Sequence, residues 1–229
     1  MAFVTTEEHG ATRLVRIDRP PANAMDLVLL EELADALEAL ALRPPAAVLI
    51  TGRPGCFSAG ADLKAVPAYG ADQRRVLVRE INRMAIAGYG LRCPLVAAVT
   101  GHAIAGGMVL ALCSDYRVAS IEGRYGLTEV QVGVPYPQAA IAVVRAELAP
   151  HTARSLALTG RLTSAEECAR LGLFDEILAP ERVMDRSLEV AAELAALPAD
   201  TYARTKDGLR GAALEAMRAA AADDPLLEL

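Results

Sequence analysis

The hydrophobic residues of this chain follow two alternating patterns, one typical of buried strands and one typical of amphipathic helices. Short unbroken apolar runs predict strands at residues 14–17, 46–51, 94–99 and 116–119. Between them, residues 25–42 place apolar side chains at helical spacing with acidic residues on the other side, and residues 74–91 predict another helix. Because strands alternate with helices, the pattern predicts crossover units and an α/β core.

The last third of the chain has a different pattern. From residue 139 onward the spacing predicts helices without any strong strand, and residues 188–197 and 209–222 are rich in alanine. No linker of flexible composition separates the two parts. We therefore predict one continuous unit, with an α/β core at residues 1–138 and a helical C-terminal region at residues 139–229.

The composition limits the class of protein. Hydrophobic residues make up 53% of the 229 residues and charged residues 23%, which favours a globular core over disorder. A net charge of -6 argues against a nucleic-acid partner. The apolar runs stop short of the roughly 20 residues that a membrane helix needs, so no membrane association is expected.

The cysteines, the histidines and the N-terminal residues bear on metal binding and on the cellular compartment. The four cysteines and three histidines lack the spacing of metal ligands, so no metal is expected. The first ten residues show no basic stretch followed by an apolar core, and hence no signal peptide. Reduced thiols in a cytoplasmic protein are the simplest interpretation.

Two loops, residues 52–64 and 101–107, follow buried strands and contain many small residues. Ligands of open α/β proteins bind where strands end, and small residues let a ligand approach the main chain. The first loop is not a phosphate loop, because Ala61 and Asp62 stand where lysine and serine or threonine are required. Spacing alone leaves open whether these are binding loops or tight turns that merely need glycine.

Six segments together resemble the crotonase superfamily of enoyl-CoA hydratases and isomerases. SAGADLK at residues 58–64 resembles the first family signature, and GHAIAGG at residues 101–107 resembles the second, G-x-A-x-G-G-G. The other four segments are RPPANAM (19–25), DYRVA (115–119), GLTEVQVG (126–133) and AEECARLGL (165–173). The matches run in order from about residue 13 to about residue 180.

The resemblance implies an α/β fold, a crotonase-like spiral of β-β-α units with a helical C-terminal region, assembled as a homotrimer or hexamer. It implies an acyl-CoA or enoyl-CoA substrate, with coenzyme A as part of the thioester and no separate bound cofactor. The backbone N–H groups of Ala61 and Gly106 would form an oxyanion hole. The expected substrate-binding residues are Ala22, Ala59, Ala61, Asp62, Leu63, Lys64, Gly106, Val109 and Tyr136.

One glutamate remains where the family's hydratases use two. Val109 occupies the first position, whereas Glu129 occupies the second. Val109 cannot hold a water molecule, so the resemblance favours a Δ3,Δ2-enoyl-CoA isomerase of fatty-acid metabolism with Glu129 as acid and base. An apolar wall at Val109 would raise the pKa of Glu129. Hydration through other polar groups and non-catalytic binding of acyl-CoA remain alternatives.

Some charged residues have structural interpretations. Asp62 is expected to cap the helix after the first loop, and Asp115 to anchor the start of a strand. Lys64 and Arg19 either meet the phosphates of coenzyme A or are solvated charges. The chain ends earlier than is usual for the resembled family, which leaves the pocket depth and the oligomer contacts open.

Overall fold

The computed structural model describes residues 2–228. Its strands are β1 (Val4–His9), β2 (Thr12–Ile17), β3 (Ala47–Thr51), β4 (Gly55–Ser58), β5 (Leu95–Val99), β6 (Gly101–Ile104), β7 (Tyr116–Ser120), β8 (Tyr125–Gly126) and β9 (Glu176–Leu178). Its helices are α1 (Leu27–Leu42), α2 (Ala71–Tyr89), α3 (Gly106–Leu112), α4 (Gln138–Glu147), α5 (Pro150–Thr159), α6 (Ala165–Arg170), α7 (Pro180–Ala195) and α8 (Ala199–Ala222).

The strands form two sheets that are built by a repeated β-β-α unit. The larger sheet has the order β1-β2-β3-β5-β7-β9, and the smaller has the order β4-β6-β8. In successive units the first strand joins the larger sheet, the second joins the smaller sheet, and α2 or α3 follows. Except for the antiparallel pair β1 and β2, neighbouring strands are parallel. This arrangement confirms the predicted crotonase-like spiral.

Both faces of the larger sheet are covered. Every residue of β3 and β5 is buried, as their unbroken apolar sequences predict. Val48 and Ile50 face the main core with α1 and α2, whereas Leu49 packs in a second core with Val190 and other residues of α7. The C-terminal region therefore covers one face of the sheet that positions the loops.

Several elements differ from the sequence prediction for identifiable reasons. Strand β1 was not predicted because its sequence, VTTEEH, is largely exposed and lacks apolar alternation. Strands β4 and β6 lie within segments that we predicted as loops. Helix α1 begins at Leu27, because the Asp26 carboxylate accepts the Leu29 N–H at 2.9 Å and caps it. The short β9 interrupts the predicted helical region and pairs with β7.

Helix α8 is attached to the core by four charged side chains, which we call the Asp115 cluster: Asp115, Glu147, Lys206 and Arg210. The Lys206 ammonium lies 2.6 Å from the Asp115 carboxylate, and the Arg210 guanidinium lies 3.2 Å from both Asp115 and Glu147. Asp115 also accepts the Leu95 N–H at 2.8 Å. The predicted anchoring role of Asp115 agrees with these contacts.

The described residues were compared with the requirements of a membrane span and of a metal site. Among residues 2–228, no helix combines the length and the apolar character needed to cross a bilayer. The same residues hold no group of three or more histidine, cysteine, aspartate and glutamate side chains arranged to bind a metal ion. All four cysteines are buried and unpaired by disulfides.

Candidate active site

The first small-residue loop follows β4 and pairs with the segment just before α1. Met25 donates its N–H to the Gly60 carbonyl at 2.7 Å, and its own carbonyl accepts the Asp62 N–H at 2.9 Å. Met25 and Ala61 thus form a parallel β-bridge. In such a bridge Met25 bonds to the two neighbours of Ala61 and not to Ala61 itself. The Ala61 N–H therefore points away from Met25, and it has no acceptor among residues 2–228.

The second loop ends where α3 begins. Gly106 is the first residue of α3, so its N–H has no acceptor within the helix, and none elsewhere in the described chain. The residue before it, Ala105, has a φ of 53° and a ψ of -124°. A positive φ strains a residue that carries a Cβ, and the family signature has glycine at this position. Strain of this kind is typical of functional sites.

The two loops pack main chain against main chain. A Cβ on Gly60 would lie 2.7 Å from the Ala105 Cβ, and a Cβ on Gly107 would lie 2.4 Å from the Ser58 carbonyl oxygen. Both distances are too short for a real contact, so glycine is required at both positions. Ala61 and Gly106, whose N–H groups have no acceptor in the described chain, both line one cleft between these loops.

Asn23 supports the first loop from the segment before α1. Its side chain is fully buried and donates to the carbonyls of Ile17 and Phe57, at 3.0 Å each. The backbone carbonyl of Asn23 accepts a hydrogen bond from the Ser58 hydroxyl at 2.8 Å. The sequence marked Asn23 only as part of a family segment, and these contacts supply its physical role.

Arg19 pairs with one carboxylate in the first loop and with another at the start of α1. Its guanidinium lies 2.8 Å from Asp26 and 2.9 Å from Asp62. Burial alone would raise the pKa of Asp62, but the N–H groups of Lys64 and Ala65 and the Arg19 guanidinium outweigh it and lower that pKa. Asp62 thus caps a turn, and the expected helix cap was wrong, because α2 begins only at residue 71.

The cleft is mostly apolar. Of the residues expected to bind substrate, those that line it are Ala59, Ala61, Leu63, Gly106, Val109 and Tyr136, together with Glu129. Ala22, Asp62 and Lys64 do not line it. Lys64 is exposed, whereas Ala22 accepts the Ala59 N–H and holds the loop from behind.

The sequence interpretation missed much of the apolar lining. These residues are Met25, Ile81, Met84, Ala105, Val132, Val134 and Ala140, and the polar Thr128 lines the cleft with them. Helical spacing could have placed Ile81 and Met84 on a buried face of α2. No local signal shows that this face meets the loops, because the loops are distant in sequence.

Glu129 begins a short 3-10 turn, Glu129–Val132, and only 7% of the residue is exposed. Its Oε2 atom and the Tyr136 hydroxyl are both shielded from solvent, and neither has a hydrogen-bond partner among the described residues. The fully buried Val109 lines the same cleft. Burial raises the pKa of Glu129, while the nearby Tyr136 hydroxyl acts in the opposite direction without reaching hydrogen-bond geometry.

The lining of this apolar cleft combines two residues whose N–H groups have no acceptor in the described chain, Ala61 and Gly106, with the carboxyl group of Glu129. Two N–H groups can stabilise negative charge on a carbonyl oxygen that lies between them. A carboxyl group with a raised pKa can take up and return a proton near neutral pH. Together they suit chemistry in which a proton leaves the carbon beside a carbonyl.

Comparison with known proteins agrees with the fold. The chain resembles the probable enoyl-CoA hydratase EchA17 of Mycobacterium tuberculosis, with 32% identity over 205 residues that cover 89% of this chain and 78% of that protein. The structure of an enoyl-CoA hydratase, EchA3, from Mycobacterium marinum matches with a TM-score of 0.90 and 30% identity, covering 99% of this chain and 98% of that one.

An isomerase is among the similar structures as well. Human mitochondrial Δ3-Δ2-enoyl-CoA isomerase matches with a TM-score of 0.90 and 26% identity, covering 99% of this chain and 89% of that one. The family model described as enoyl-CoA hydratase/isomerase matches residues 7–226, nearly the whole chain. The chain therefore belongs to the enoyl-CoA hydratase/isomerase family.

Proposed function

We propose that this enzyme is a Δ3,Δ2-enoyl-CoA isomerase, which moves the double bond of an acyl thioester from C3–C4 to C2–C3. One observation carries the proposal. Glu129 is the one carboxylate among the described residues that line the cleft. The resemblance to the family implies that Val109 takes the position of the hydratases' other glutamate. One carboxyl group suffices to move a proton, whereas water addition by the usual route needs two polar groups to hold the water.

The thioester carbonyl would lie between the N–H groups of Ala61 and Gly106. Neither donor has another acceptor in the described chain, so both are available without breaking a hydrogen bond. They would bind the oxygen more strongly as it becomes an enolate oxygen. Fixed donors of this kind typically contribute about 3 kcal/mol each to such a transition state.

Glu129 would act first as a base and then as an acid. Its carboxylate takes a proton from C2, and the electrons of that C–H bond form a dienolate with the C3–C4 double bond. The same proton returns to C4, the electrons settle between C2 and C3, and the thioester carbonyl is restored. No water enters the product, which agrees with the apolar side chain of Val109 in the cleft.

The test is to incubate the purified protein separately with a 3-enoyl-CoA and a 2-enoyl-CoA, and to follow products by mass and chromatography. We expect conversion of the 3-enoyl thioester without change of mass, and loss of this conversion in Glu129→Gln. Gain of a water by the 2-enoyl thioester, as the names of several relatives suggest, would favour hydration instead. Binding without conversion of either substrate would favour an acyl-CoA binding protein.

A further inference from the structure

The Tyr136 hydroxyl is a buried polar group that takes no part in the proton transfer proposed above. It lines the cleft with Glu129, and it has no hydrogen-bond partner among the described residues. The same holds for the Glu129 Oε2 atom. Buried polar atoms are nearly always paired, so two unpaired ones in the same cleft need an explanation.

We propose that Tyr136 is a positioning residue for Glu129: its hydroxyl donates a hydrogen bond to the ionised carboxylate in the substrate complex and fixes the oxygen that transfers the proton. This proposal rests on the isomerase function proposed above. In the free protein neither group has a hydrogen-bond partner among the described residues, although the Tyr136 hydroxyl is close enough to lower the pKa of Glu129. Catalytic hydrogen bonds are often long before substrate binds and shorten in the complex.

The local backbone holds the two side chains in a fixed relation. The Glu129 carbonyl accepts the N–H groups of Gly133 and Val134, the latter at 3.1 Å, which closes the turn. Gly133 has a φ of 68°, a conformation that suits glycine. Tyr136 then follows between Pro135 and Pro137, whose rings restrict the backbone on either side of it.

No other charged group competes for Glu129 in the described chain. The cleft residues contributed by α2, α3 and α4 are apolar, as Met84, Val109 and Ala140 show. Helix α5 contacts the 3-10 turn, but its titratable groups, His151 and Arg154, do not shift the pKa of Glu129. Tyr136 is the one side chain that lowers this pKa, against the larger effect of burial.

The test is the pH dependence of 3-enoyl-CoA isomerisation in Tyr136→Phe, which removes only the hydroxyl. The ionised carboxylate should then form only at higher pH, so the acid limb of the kcat/KM profile moves upward. On that limb the rate should fall about tenfold, the equivalent of roughly 1.4 kcal/mol, which is close to the lower end of the range for a hydrogen bond to a charged group. Loss of shape alone would lower the rate without moving the limb.

Tyr202→Phe is the matched control, because Tyr202 also lies beside a carboxylate, that of Asp115, but outside the cleft. Its profile should keep the wild-type acid limb. Circular dichroism of both variants checks that they fold. If the two tyrosine variants shift equally, or if Tyr136→Phe leaves the limb in place, Tyr136 does not position Glu129.

A titration that needs no activity separates this proposal from the proposed function. The carboxyl carbon of Glu129 can be followed by NMR in protein labelled with ¹³C-glutamate. The protein is saturated with a non-reactive thioether analogue of an acyl-CoA, and the signal that disappears in Glu129→Gln is assigned to Glu129. The pKa of Glu129 should be higher in Tyr136→Phe than in wild type, whatever reaction the enzyme performs. An unchanged pKa would overturn the proposal even if isomerisation is confirmed.

Discussion

Two carboxylates of this protein are largely shielded from water in very different surroundings. In the Asp115 cluster, the carboxylate contacts Lys206 at 2.6 Å, Arg210 at 3.2 Å and the Leu95 N–H at 2.8 Å. In the cleft, Glu129 has no cationic partner, and its Oε2 atom has no hydrogen bond in the described chain.

The difference shows how burial separates structural charges from chemical ones. A buried ion is tolerated when opposite charges and hydrogen bonds replace the water that it has lost. Asp115 meets this condition and joins α8 to the start of β7. Glu129 does not meet it, so burial raises its pKa and leaves it ready to exchange a proton.

The largest expected effect is the loss of activity in Glu129→Gln. Removing a general acid–base group should lower kcat for isomerisation by about 10³-fold, the equivalent of roughly 4 kcal/mol. The fold should not suffer. Because the pKa of Glu129 is raised in the folded protein, its contribution to stability is complete below about pH 4 and declines as the pH rises through the folded pKa.

Urea unfolding at several pH values checks this sign. Glu129→Gln should be at least as stable as wild type at pH 8, and the difference between the two should shrink towards pH 4. A variant that loses stability at pH 8 would mean that the glutamate is held by partners, as Asp115 is.

The next largest effect is expected in Asp115→Asn. This change leaves the buried ammonium of Lys206, 7% exposed, without its carboxylate and should lower the free energy of unfolding by about 3 kcal/mol. The activity of the molecules that remain folded should be unchanged. Urea unfolding measures the first quantity, and kcat at low temperature the second.

The double variant Asp115→Asn with Lys206→Met provides the control. It removes the uncompensated charge together with its partner, and should recover part of the lost stability. If the single change costs less than about 1 kcal/mol, the cluster behaves as an ordinary surface ion pair and the comparison with Glu129 fails.

The smallest of these effects is expected where the two loops meet. Gly107→Ala places a Cβ 2.4 Å from the Ser58 carbonyl oxygen and should cost about 2 kcal/mol of stability. The activity should fall as well, because the Gly106 N–H moves. In α8, Gly211→Ala meets nothing within 4 Å and should instead stabilise the protein by about 0.5 kcal/mol. Thermal unfolding of both variants checks the opposite signs.

The buried core strands could be predicted from sequence, whereas the edge strand and the strands within the loops could not. The strands around Val48 and Val96 were recognisable because burial on both faces requires an unbroken apolar run. Strand β1 was not recognisable, since it is largely exposed at the sheet edge. Strands β4 and β6 were not recognisable either. Each begins with a glycine and has only four residues, which is too short for a periodic signal.

The sequence alone determined the core strands and helices and the family. It also predicted Glu129 and Val109 as the positions that distinguish an isomerase from a hydratase, since all of these depend on short segments of chain. Only the tertiary structure decided which groups meet. Ala61 and Gly106 line one cleft because two glycine-dependent turns pack together, and Asp115 meets Lys206 across 91 residues of sequence. Such contacts depend on how distant elements pack, which no local pattern specifies.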